Sequence, residues 1–151
     1  MSELLESFTT NVDAFARHQG FADSARSMSD RFSAEAIENV ASEHEAKAVE
    51  VATDLVMLTA DVETRIAELQ MEKNDILEGH GDIQMAIEEL DLRLAIEEIN
   101  QDDYEAEKAT HEASMADDLE KVKGLDEELD PLSSEYDRWN TLGHEAGILV
   151  N

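Results

Sequence analysis

Glu78-Gly79-His80-Gly81-Asp82 interrupts a helical pattern near the middle of this 151-residue chain, and the fold depends on how it is read. Two glycines supply the positive φ angles of a tight reversal, and Asp82 can cap a following helix by accepting backbone N–H bonds. Upstream, from about Ser33 to Leu77, the apolar or small positions Ala48, Ala52, Leu55, Thr59, Val62, Ile66 and Leu69, then Lys73 and Ile76, alternate in steps of four and three. That is the rhythm of a heptad seam. Downstream, Ile83, Ile87, Leu90 and Leu94 resume it. With 79–82 read as a turn, the two segments form a long antiparallel helical hairpin, coiled-coil-like, in an all-α chain.

Outward from this hairpin the chain reads as three parts. Residues 1–32 hold an N-terminal helix and a connector. The helix carries the stripe Leu4, Leu5, Phe8, Val12 and Phe15, stops near Gly20-Phe21, and is followed by a serine-rich stretch from Ser24 to Ser33. Residues 33–130 are the hairpin. Its second arm carries Tyr104, His111, Met115, Leu119, Val122, Leu125 and Leu129, and has a polar stretch at residues 100–105. There, Asp102 and Glu105 have capping-box spacing, so the arm either restarts or continues with these residues on its outer face. At Asp130-Pro131 the proline lacks an N–H and disfavours helical geometry before it, so a separate C-terminal helix and tail are expected over 131–151.

A reversal at 79–82 sets positions summing to about 162 opposite one another, with Phe32 near Leu129 and Leu132. Six of the seven aromatic residues, Phe8, Phe15, Phe21, Phe32, Tyr136 and Trp139, then gather at the open end, where the short terminal helices pack. Tyr104 alone stays in the shaft. Aromatic side chains bury large areas, so this base is where a core is expected.

Thirty-eight acidic residues against eleven basic leave a formal net charge of -27, which repels nucleic acid and anionic membranes. No cysteine is present, which removes disulfides, thiolate metal sites and cysteine nucleophiles. The start of the chain is acidic where a secretory signal is basic and apolar, and no membrane-length apolar run occurs, so a soluble cytoplasmic protein is the expectation. The pairs Glu43/Lys47, Asp61/Arg65, Glu89/Arg93 and Asp117/Lys121 place an acid four residues before a base, the favourable order on a helix.

Chemistry is sparse in this sequence. The histidines His18, His44, His80, His111 and His144 lack the Glu-x-x-His spacing of di-iron bundles, and no second histidine completes a zincin motif. They read as surface or seam residues. No EF-hand loop, phosphate cradle or nucleophile elbow is present, so neither enzyme activity, cofactor nor metal is expected.

Recognition remains. Trp139, Tyr136, Phe8 and Phe15 in the base, with Ile148 and Leu149 in the apolar tail Gly147 to Asn151, are the candidate partner-binding residues. The tail either docks on a partner or folds back on the base. The chain thus reads as a non-enzymatic acidic interaction protein, a scaffold, adaptor or assembly subunit whose partner is another protein or a second copy of itself. The alternative is a nucleic-acid mimic or a chaperone that binds basic proteins through its charge.

Overall fold

The computed structural model describes residues 2–149, which form three helices and no strand: α1 (Glu3–Arg26), α2 (Ala34–Ala95) and α3 (Gln101–Glu145). The all-α class is therefore as expected. No helix among the described residues is long and apolar enough to cross a membrane. The chain divides into two compact units, one built from residues up to Ile66 together with those from Asp130 onward, the other from Ala67–Leu129.

The expected turn at 79–82 does not occur: these residues lie inside α2. The cause is the phase of the seam. Half-buried Ile76 is followed by buried His80, half-buried Ile83 and Ile87, and buried Leu90, so the four-three alternation crosses both glycines without a slip. A glycine inside a helix costs ~1 kcal/mol relative to alanine. Helix propagation is cooperative, and two such penalties do not outweigh the hydrogen bonds and seam burial on both sides.

The chain reverses between Ala95 and Gln101 instead. The Glu98 N–H donates to the Arg93 carbonyl at 2.8 Å and the Glu97 N–H to the Leu94 carbonyl at 3.0 Å, the paired bonds of a Schellman cap. Glu97 takes the left-handed position at φ 61°, where glycine is usual. An ion pair from Arg93 to Glu98 spans the same cap. Asn100 then opens α3, its Oδ1 accepting the Asp103 N–H at 2.8 Å while its Nδ2 donates to the Asp103 carboxylate at 3.1 Å. Of the two readings of residues 100–105 the restart is the one observed, with Asn100 as the cap rather than Asp102.

Pro131 is a second correction. It lies within α3, so no separate C-terminal helix exists. Its missing N–H and ring clash cost about 3 kcal/mol in a helix interior. It is exposed, however, while buried Leu129, Leu132 and Trp139 keep a single four-three phase around it. Continuity of that stripe offsets the proline. Likewise α1 passes Gly20-Phe21 and runs to Arg26, which pairs with Glu38 and Glu45 of α2, while Ala22 is buried in the extra turn. The connector shortens to residues 27–33, and Ser33 Oγ accepts the Ala36 N–H at 3.2 Å to start α2.

The core lies in the first unit. Leu5, Phe8, Val12 and Phe15 of α1 pack with Ala48, Ala52, Leu55 and Val62 of α2 and with Leu132 and Trp139 of α3. Phe15 meets the Trp139 indole edge-on, with centroids 5.0 Å apart and planes at 86°. Full burial of such side chains contributes roughly 1.5–3 kcal/mol each. All six aromatics expected at the base belong to this unit, and Tyr104 belongs to the other. Phe8, Phe15 and Trp139 are buried and Tyr136 half-buried, whereas Phe21 and Phe32 are exposed, at 48% and 56%; with the reversal near residue 97 rather than 80, Leu129 and Leu132 no longer lie opposite Phe32.

The second unit has a thinner, more polar seam. Tyr104 Oη donates to Asp91, His80 Nε2 lies 3.4 Å from Asp118 Oδ2, and Lys73 Nζ donates to Asp126 at 2.9 Å. As the α2 number falls the α3 number rises, so the two segments run in opposite directions. Asp118, facing His80, takes the stripe position expected for Leu119, which is 54% exposed.

Candidate interaction surfaces

The aromatic candidates for partner binding are core residues. Trp139 and Phe8 have no exposed surface and Phe15 has 1%, because α1 closes over the α2 and α3 segments of the first unit. Their packing leaves nothing to present, which corrects the role expected of them. Tyr136 is half-buried, and its hydroxyl donates to Glu63 at 2.7 Å. That bond to a carboxylate, with burial adding, raises the phenol above its ordinary pKa.

Ile148 and Leu149 are half-buried against the same core. The Ile148 N–H donates to the Gly143 carbonyl at 2.9 Å, and Gly147 takes the left-handed position at φ 76°. This is a second Schellman cap, and it turns the tail back onto α3. A Cβ on Gly143 would collide with the Leu149 side chain, so the small residue admits the contact. The tail therefore folds back through Leu149; Val150 and Asn151 lie outside the described residues.

The histidines sit in two arrangements of interest. In the first unit, His18 and His44 face each other with Nδ1 atoms 3.1 Å apart, a bond in which one Nδ1 carries the hydrogen and the other accepts it. Phe21 lies against His44 at 5.0 Å between centroids. Burial lowers the His18 pKa, with Arg17, His44 and Lys47 adding to the shift. In the second unit, buried His80 Nε2 approaches Asp118 without hydrogen-bond geometry. Among the described residues no group of three or more metal-ligating side chains comes together.

What remains exposed is apolar and acidic. Ala25, Met28, Phe32, Ala36, Ile37 and Val40 line an open apolar groove of about 210 Å³ where α1 leads into α2. Counting outward from the buried seam of α2 in the second unit, the opposite face carries Met71, Glu78, Met85 and Leu92 at every seventh position. Beside that row runs another at the same interval, Glu68, Asp75, Asp82 and Glu89, every one an acid. Met71, Met85 and Leu92 are 67%, 56% and 60% exposed. These rows are legible in the sequence once the seam's phase is carried through Gly79 and Gly81; a turn placed there hides them.

Compared with protein-family models, curated proteins and solved structures, the chain matches none.

Proposed function

We propose that this chain is a non-enzymatic interaction protein in which α2 and α3 form a coiled-coil-like helical hairpin that presents its outer faces to a protein partner, as a scaffold, adaptor or assembly subunit. One observation carries the reading: in the second unit the seam of α2 is already occupied within the chain, yet the large apolar side chains Met71, Met85 and Leu92 stand exposed on the opposite face. Isolated exposed apolar residues are ordinary, but a row of them in register along one helix marks a contact surface.

The test is capture from a native lysate with the tagged full chain, washed in steps of rising salt. The expected result is one protein retained at integer stoichiometry after the high-salt wash, since apolar contacts survive screening. A monomeric chain with turnover on a small substrate would overturn the reading. The uninterrupted row of four acids in the second unit, Glu68, Asp75, Asp82 and Glu89, favours a second one, in which charge itself recruits basic proteins. Under it, a heterogeneous set of basic proteins would come off as salt rises.

A further inference from the structure

We propose that the outer face of α2 in the second unit binds a basic amphipathic α-helix, a proposal that rests on the interaction reading and names the partner's chemistry. The face is defined by one row and its flank. The row reads Met71, Glu78, Met85, Leu92 at intervals of seven, and the flank reads Asp75, Asp82, Glu89 at the same interval. All seven residues are exposed. At ~1.5 Å per residue the interval is ~10.5 Å along the helix, the repeat that a second helix crossing at a shallow angle presents. An extended strand covers seven residues in ~23 Å and does not match it.

Charge selects among possible occupants. The second unit carries 21 acidic residues against five lysines and arginines. Its two cations on α2 are both engaged within the chain, Lys73 with Asp126 and Arg93 with Glu98. No cation on this helix segment is left to neutralise the flank. A second copy would set acids against acids, and an anionic membrane would be repelled in the same way. A partner helix with lysine or arginine opposite the flank meets both requirements, since its apolar residues cover the methionines while its cations neutralise the carboxylates.

The row further dictates an order. Glu78 interrupts the apolar positions, so the facing residues of the partner, taken in the direction of α2, are apolar, basic, apolar, apolar at heptad spacing, and an antiparallel partner carries them in the reverse order. Methionine suits such a surface because its unbranched, polarizable side chain adapts to different apolar partners.

The probe is a synthetic four-heptad peptide carrying leucine, lysine, leucine, leucine at the facing positions, in this order or the reverse, and lysine along one flank. It is titrated calorimetrically into the full chain at near-physiological salt, beside a scrambled peptide of the same composition. One-to-one binding of the ordered peptide is expected, with the scrambled one at least about tenfold weaker. Met85→Glu should weaken the ordered peptide by about tenfold or more. Glu78→Lys should do the same and be rescued by a peptide with glutamate at the facing lysine. These positions are exposed, and circular dichroism checks that helix content is unchanged. Equal binding of ordered and scrambled peptides, or no effect of Met85→Glu and Glu78→Lys, overturns the proposal. If those variants still capture the native partner at high salt, this surface is the wrong one while the interaction reading stands. If neither peptide nor lysate protein binds, both fail.

Discussion

His80 on α2 places Nε2 3.4 Å from Oδ2 of Asp118 on α3, in the middle of the segment whose glycines resemble a turn. The histidine is 8% exposed and occupies a seam position that only a continuous helix can give it. Neither Gly79 nor Gly81 has an atom within 4 Å of where a Cβ would stand. Nothing in the packing therefore requires glycine at either position. Gly79→Ala and Gly81→Ala should each stabilise the protein by roughly 0.5–1 kcal/mol, read as a higher urea midpoint at unchanged slope. A turn with positive φ at these residues would give the opposite sign.

Glu97 supplies the converse case. It holds φ 61° at the true reversal, a conformation costing non-glycine residues roughly 1–2 kcal/mol, and its charge sits at the negative end of the α2 dipole. Glu97→Gly should stabilise by about 1 kcal/mol or more, with far-ultraviolet circular dichroism unchanged at low temperature. A loss of stability would mean that Glu97 makes a contact worth more than its backbone strain.

Trp139 is the only tryptophan, fully buried and edge-on to Phe15, so its fluorescence reports on the core directly. Trp139→Ala should cost about 3–5 kcal/mol. Trp139→Phe keeps much of the packing and also removes an indole N–H that has no acceptor among the described residues. It should cost distinctly less than the alanine variant in thermal unfolding.

His18 gives a pH dependence of defined sign. Its folded pKa lies below the ordinary histidine value of about 6.5, chiefly through burial, so between the two values the unfolded chain binds more protons than the folded one. The His18 contribution is therefore present above pH ~6.5 and is lost as pH falls through the folded value. Carboxylate protonation at lower pH relieves repulsion in a chain of charge -27 and acts in the other direction. The difference between wild type and His18→Gln isolates the histidine. It should shrink as pH drops from 7.5 to about 5.5, and a pH-independent difference would remove His18 from the account.

The location of the aromatic core is legible in the sequence, because Phe8 and Phe15 lie in a helical stripe near one end of the chain and Tyr136 and Trp139 near the other. Any reversal in the middle brings those ends together. The choice of partner-binding residues failed for the same reason: large aromatics that can form a core bury themselves in it, and Trp139, Phe8 and Phe15 did. Met71, Met85 and the acids beside them carry no special chemistry, and their meaning depends on the phase of the seam across Gly79 and Gly81.

The sequence by itself determined that the chain is helical, because seam periodicity and helix-surface charge pairs are local and repeat along it. It also determined the phase of each stripe, since Ile76, His80 and Ile83 are four and three apart whether or not glycines lie between them. Only the tertiary structure decided where the chain reverses. Two glycines and one proline each carry a local penalty of about 1–3 kcal/mol, and local reasoning breaks the helix at each of them. Packing of long stripes between neighbouring helices sums over many residues and overrides those penalties. It leaves the turn at Glu97, where no glycine marks it and where a strained backbone angle is held by the helices on either side.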